Sequence, residues 1–115
     1  MRKRIKKKQL GRVKKQRTAL FKSLATGLIL NGKIKTTQAK AKTIRPIIEK
    51  MVTQAKKNTM AHKRLLRAKL SEQAVKKLAG EIAPKYFERN GGYTRIINLP
   101  RRYPDGAKMA IIEFI

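Results

Sequence analysis

The chain has 115 residues, 31 of them Lys or Arg against 6 Asp or Glu, for a formal net charge of +25, and 41% of it is hydrophobic. The length permits one small domain, the apolar fraction is too high for a disordered cationic tail, and repulsion among so many cations calls for a polyanionic partner, nucleic acid foremost. With no cysteine the chain can hold no disulfide or thiolate nucleophile, as suits a reducing cytosol, and its longest nearly apolar stretch, LATGLIL at 24–30, is far short of the ~20 residues that span a bilayer.

Charge is uneven along the chain: residues 1–48 hold 16 Lys or Arg and no acid. Ten of those cations fall in the first 17 residues: Arg2, Lys3, Arg4, Lys6, Lys7, Lys8, Arg12, Lys14, Lys15 and Arg17. A segment with so few apolar side chains cannot fold alone. It reads as an extended arm, 1–17, that becomes ordered among phosphates, with Gly11 allowing a bend and Gln9 or Gln16 able to reach bases or sugars. The plain alternative is a solvated basic tail. The arm precedes a globular domain over 18–115.

From Thr18 the apolar residues Leu20, Phe21, Leu24, Ala25, Leu28 and Ile29 recur at helical spacing, and Asn31-Gly32 supplies a left-handed stop, which predicts a helix over 18–30. KIKTT (33–37) alternates and is β-branched, predicting a short strand whose Thr36 or Thr37 caps the following helix. That helix carries the stripe Ile44, Ile47, Ile48, Met51, Val52 and Ala55, and is interrupted by Pro46, which should kink or delay it before an end near Asn58. AHKRLLRAKL (61–70) predicts a shorter helix with Leu65, Leu66 and Leu70 inward. Ser71 then caps a helix in which Val75, Leu78, Ala79 and Ile82 face the core, and Pro84 breaks it.

After Gly91-Gly92, the runs YTRIINL (93–99) and KMAIIEFI (108–115) predict a hairpin around the turn-rich PRRYPDGA. Centring the register on that turn sets Arg95 opposite Glu113 as a cross-strand ion pair. The sum is an α+β fold in two layers: helix, strand, three helices and two strands, with the helices covering one face of a small three-stranded sheet.

Catalytic chemistry has little to work with. The single histidine, His62, sits beside Lys63 and Arg64 and reads as a polar surface residue or a phosphate contact. The six acids are scattered among cations and read as ion-pair partners or, for Glu72 after Ser71, as a helix-start charge. Gly91-Gly92 leads into a strand rather than a helix, so it makes no phosphate loop of the nucleotide-hydrolysing kind. Binding remains. Cations lie near the entry to the first helix (Arg12, Lys15, Lys22), on both sides of Ile34 in the strand (Lys33, Lys35), and on the hairpin loop (Arg101, Arg102), an arrangement that suits an irregular folded RNA better than a regular duplex groove. Phe21 and Phe114 read as core, while Tyr93 and Tyr103 could equally pack inside or stack on a nucleotide. An architectural DNA-binding protein is the rival reading, although no helix-turn-helix spacing is present.

Five strings carry a resemblance: QLGR (9–12), Arg17-x-Ala19-Leu20-Phe21, IKTT (34–37) followed by AKAK (39–42), GGYTRI (91–96) and MAIIE (109–113). Over its whole length the chain resembles the bacterial large-subunit ribosomal protein family number seventeen. The resemblance implies the same two-layer fold, no catalytic activity and no cofactor. It also implies a structural role binding large-subunit (23S) rRNA near the polypeptide exit region, beside other ribosomal proteins, with no membrane or small-molecule partner. By that likeness the RNA contacts are Arg2, Arg4, Gln9, Arg12 and Arg17 in the arm, Thr36 and Thr37 after the strand, and Gly92, Tyr93, Thr94 and Arg95 in the glycine motif. The chain departs from the family pattern at Gln16, where His is common, and at Arg102-Tyr103-Pro104-Asp105, which replaces Arg-x-Gly-Asp.

Overall fold

A computed structural model of the chain describes residues 14–57, 59–103 and 105–115. The arm positions Arg2, Lys3, Arg4, Lys6, Lys7, Lys8, Gln9 and Arg12 lie outside the described residues, as do Asn58 and Pro104. The first helix, α1, spans Lys14–Asn31. It is already formed at Lys14, so the last four residues of the expected arm belong to it. Lys, Gln and Arg are strong helix formers, and the helix therefore extends past its apolar stripe, where the Thr18 hydroxyl also donates back to the Lys14 carbonyl at 2.9 Å. Ala25, Leu28 and Ile29 are its buried residues, with Phe21 and Leu24 packed at the margin. Gly32 ends it at φ +82°, and its N–H donates to the Leu28 carbonyl at 2.7 Å, the left-handed cap expected of Asn-Gly.

Strand β1 is Lys33–Thr37 and leads directly into α2, Gln38–Lys57. Thr37 Oγ1 accepts from the Lys40 N–H at 3.4 Å, capping α2. This helix is the spine of the molecule: Ala41, Ile44, Ile48, Met51, Val52 and Ala55 are buried, and it touches all three strands and α1. Pro46 sits inside α2 without ending it. Helix α3, Met60–Arg67, is capped by Thr59, whose Oγ1 accepts from the His62 N–H at 3.2 Å. Leu66 and Leu70 are buried as expected, but Leu65 is exposed. A helix of eight residues with one buried side offers a narrow stripe, and the position before Leu66 is rotated by ~100° out of it.

Ser71 Oγ accepts from the Ala74 N–H at 3.3 Å and caps α4, Glu72–Lys77. Pro84 does not break the helical course of the chain beyond α4. That course continues through a π-helical turn, Leu78–Ile82, closed by the Ala83 N–H donating to the Leu78 carbonyl, and then a 3-10 turn, Ala83–Tyr86. Pro84 falls at the start of the second turn, where no helical N–H is needed. Val75, Leu78 and Ile82 are buried, Ala79 only partly, and Ala74 and Ala83 join the core. The wider π turn delivers Tyr86 inward, where its hydroxyl donates to the Ile115 carbonyl at 2.6 Å.

Strands β2, Thr94–Leu99, and β3, Met109–Phe114, pair antiparallel, and β1 adds antiparallel to the other side of β3, giving the order β1-β3-β2. Ile34, Thr36, Thr94, Ile96, Ala110, Ile112 and Phe114 share the face turned to the helices, and the opposite face is left open. The expected α+β architecture, with helices on one face of a three-stranded sheet, is the one observed.

Candidate nucleic-acid interface

The open face of the sheet is set by strand alternation. Its rows are Lys33, Glu113 and Arg95, then Lys35, Ile111 and Ile97, then Thr37, Met109 and Leu99, of which Met109 is buried. Arg95 Nε meets Glu113 Oε1 at 2.8 Å, the cross-strand pair expected from the register, and both Lys33 and Lys35 are exposed. Glu113 therefore offsets part of one row, while Lys35 stands beside exposed apolar surface at Ile97. Thr36, on the other side of the strand, is buried and Thr37 is occupied as a cap. What IKTT and its preceding lysine present to a partner is the two lysines rather than the threonine side chains.

The glycine motif is tied to α2 from below. Gly91 and Gly92 have φ of +125° and +63°, and a Cβ at either would meet nothing within 4 Å, so backbone conformation rather than lack of space requires glycine. The turn drives Tyr93 into the interior, where only 1% of it is exposed. Its hydroxyl donates to the Arg89 carbonyl at 3.2 Å, takes a bond from Lys56 Nζ at 3.1 Å and lies 3.3 Å from Thr53 Oγ1. Burial raises the Tyr93 phenol, but its hydrogen bonding with Thr53 and Lys56 and the charge of Lys56 outweigh it and bring it below its ordinary value. Tyr86, tilted against Tyr93 with ring centroids 5.3 Å apart, is pushed up by burial. Thr94 Oγ1 donates to Glu49 Oε2 at 3.1 Å, and the same carboxylate oxygen lies 3.6 Å from Arg45 Nε. Of the two readings open for Tyr93 the structure places its ring in the core, and the Tyr93 and Thr94 side chains both tie β2 to α2. The exposed parts of the motif are the backbone at Gly92 and the Arg95 side chain.

The hairpin loop is shaped by its own charges. Arg102 grips Asp105 through Nε at 3.2 Å and Nη2 at 2.7 Å, and Asp105 also takes the Ala107 N–H at 3.2 Å. The Arg102 hydrogen bonds and the Ala107 N–H hold the Asp105 carboxyl down at about 2. Arg101 Nη1 donates to the Gly106 carbonyl at 3.0 Å, with Gly106 itself at φ +67°. Tyr103 is 93% exposed, so of the two tyrosines left open by the sequence it is the one that stands free at the surface.

On α1, Lys14, Lys15 and Lys22 are exposed and Arg17 is partly buried. Arg17 and Lys14 line a cleft of about 650 Å³ against α2 and the turn after α3, and Lys42, Lys50 and Lys69 line it too. Sequence reasoning misses the last three. The signal for Lys42 and Lys50 is the row Lys42, Pro46, Lys50 and Gln54, four residues apart on one side of α2, but nothing local shows what faces it, and Lys69 after α3 carries no such signal. Among the described residues no group of three or more His, Asp or Glu side chains is placed to hold a metal ion. The acids that have partners serve structure, and His62 Nδ1 is bonded to the Thr59 hydroxyl that caps its helix.

This chain is similar along its length to known proteins. The family described as "Ribosomal protein L17" matches residues 20–115. The chain is 55% identical to the "Large ribosomal subunit protein bL17" of Sulfurihydrogenibium sp. (strain YO3AOP1), with 100% of this chain and 97% of that protein covered. It is 57% identical to the protein of the same name from Persephonella marina, covering 100% and 95%, and 50% identical to that of Sulfurimonas denitrificans, covering 94% of each.

Proposed function

The chain belongs to the ribosomal protein L17 family, a structural component of the bacterial large ribosomal subunit rather than an enzyme, and on that premise we propose that it binds and stabilises large-subunit (23S) rRNA near the polypeptide exit region, beside other ribosomal proteins. The observation that carries this reading is the acid-free run of cations in residues 1–48 together with its continuation on exposed surface: Lys14, Lys15 and Lys22 on α1, Lys33 and Lys35 on β1. A surface that meets phosphates from a helix, a strand and a loop at once fits an irregular RNA fold. The basic segment before Lys14 adds Arg2, Lys3, Arg4, Lys6, Lys7, Lys8 and Arg12, and in this reading these neutralise phosphates as point charges or bidentate guanidinium pairs.

The test removes residues 1–13, leaving α1 whole, and compares both proteins on a large-subunit rRNA transcript over a range of salt. Each lost phosphate contact lowers the slope of log affinity against log salt by roughly 0.7 to 0.9, so seven cations correspond to a fall of up to about 5 to 6. An unchanged slope rejects the segment as an RNA contact. Sedimentation of the tagged chain with the large subunit after a high-salt wash tests assembly, and crosslinking within that subunit to a stalled nascent chain tests the exit-region placement.

A further inference from the structure

We propose that the free edge of β2 takes an extended, uncharged segment of another polypeptide as a fourth strand of the sheet, paired at Ile96 and Asn98; the inference goes beyond RNA binding and stands without it. Two bonds at the end of the sheet fix which way the edge points. The Ile115 N–H donates to the Tyr93 carbonyl at 2.9 Å, and the Phe114 N–H donates the other way, to the Gly32 carbonyl before β1 at 3.2 Å. Backbone direction alternates along a strand. With Arg95 opposite Glu113 and Ile97 opposite Ile111, the backbones of Tyr93, Arg95, Ile97 and Leu99 therefore face β3, while Thr94, Ile96 and Asn98 turn their N–H and C=O groups outward. Among the described residues β3 is the only strand paired with β2. Arg45 Nη2 reaches the Thr94 carbonyl at 3.4 Å, and Gln38 Nε2 holds the Asn98 side chain at 2.9 Å. The ladder groups of Ile96 and Asn98 are left open.

Natural sheets blunt such edges with lysines, prolines or bulges, and the two edges of this sheet differ in that respect. Lys33 and Lys35 stand exposed along β1. β2 has no such guard: it pairs one to one with β3 without a bulge, and its sequence, TRIINL, is rich in β-branched residues and holds no proline. Its one cation, Arg95, lies 2.8 Å from Glu113, and Arg45 beside it lies 3.6 Å from Glu49. In a chain of net charge +25 this edge is a place where charge is balanced, and that balance selects the occupant. Phosphate answers donors only, whereas a strand edge alternates donors with acceptors. A second copy of the chain brings another +25 into contact. An uncharged strand of a different polypeptide answers both kinds of ladder group, and its alternate side chains lie beside Ile97, which is 43% exposed, and half-buried Leu99 on the open face of the sheet.

The experiment adds a capped neutral peptide, TVTITVS, to the full chain at about 1 M salt, where charges are screened beyond ~3 Å, and follows amide exchange by NMR. A second peptide, N-methylated at each internal residue, keeps the side chains and loses the ladder donors. In the chain alone the Ile97 amide is protected and those of Ile96 and Asn98 are open. The first peptide is expected to protect the Ile96 and Asn98 amides and the N-methylated one to leave them open. Asn98→Pro removes an outward N–H at an exposed position and should weaken the peptide roughly tenfold while rRNA affinity stays within about twofold. Ile97→Lys places a guard on the edge, has the same expected effect and serves if the proline variant fails to fold. Equal action of the two peptides, or no protection by either, overturns the proposal. Protection of the same two amides by an rRNA transcript alone assigns the edge to RNA, and protection that grows with concentration of the chain alone assigns it to a second copy; either result overturns the polypeptide partner.

Discussion

Replacing Tyr93 separates its two structural duties and tests whether it has a third. In Tyr93→Phe the ring stays and the hydroxyl goes, with its bonds to the Arg89 carbonyl, Lys56 Nζ and Thr53 Oγ1. A net hydrogen bond contributes roughly 0.5–1.5 kcal/mol, and a partner left buried and unpaired would add more. Here the partners are not stranded: Arg89 and Thr53 are exposed, Lys56 still donates to the Arg89 carbonyl, and Thr53 still donates to the Glu49 carbonyl. The cost is therefore about 1 kcal/mol, or ~4 °C in Tm for a domain of this size. Tyr93→Ala also removes one of the largest fully buried side chains, and truncation of a buried aromatic to Ala costs about 3–5 kcal/mol. Thermal unfolding by circular dichroism measures both, and rRNA affinity is measured below the lower Tm. Tyr93→Phe should leave that affinity within about twofold, because the phenol faces α2. A tenfold loss of affinity in a fully folded Tyr93→Phe protein would refute the assignment of this side chain to the interior.

Two other outcomes rest on local geometry. Ser71→Ala removes the acceptor for the Ala74 N–H at the start of α4 and should cost about 1 kcal/mol, read as a lower urea midpoint with an unchanged slope. A change below ~0.3 kcal/mol would mean that solvent replaces the cap. For Asp105, the folded carboxyl titrates at about 2, below its ordinary 3.8, so its support of the hairpin loop is complete above 3.8 and is lost as pH falls through about 2. Carbon-detected NMR titration should place its midpoint near the lower value, and Arg102→Gln should return it toward 3.8. A midpoint at 3.8 in the unaltered chain would remove the ion pair.

Much of the fold is legible where neighbours in sequence are also neighbours in space. KIKTT is correctly bounded as β1 because a left-handed Gly32 and a capping Thr37 enclose it. The Arg95 and Glu113 pair comes from centring one turn between two strands. The misreadings fall where packing overrides local pattern. Leu65 reads as core because it is apolar and adjacent to Leu66, but α3 buries only one narrow side. Pro84 reads as a break because a proline cannot continue an α-helix, whereas a π turn and a 3-10 turn absorb it. The start of α1 is placed too late because a stripe of apolar residues marks where a helix packs and not how far it extends. The site is less legible than the fold. Exposed lysines on β1 can be seen from alternation, but the burial of Tyr93 and Thr94 depends on Thr53, Lys56 and Glu49, which lie some 40 residues earlier.

By itself the sequence determined that the chain is strongly basic, that its motifs match one ribosomal family, and that helices precede a hairpin. Composition, caps and periodicity act over a few residues and are written in the chain. Tertiary structure alone decided that β1 joins the far side of β3, that Tyr93 and Thr94 of GGYTRI turn inward onto α2, and that Lys14, Arg17, Lys42, Lys50 and Gln54 line one cleft. Those contacts join segments separated by roughly 25 to 80 residues, and no local propensity encodes them. They form because β1 and α2 must bury their apolar faces against the same core, and the polar groups carried along take whichever neighbours that burial provides.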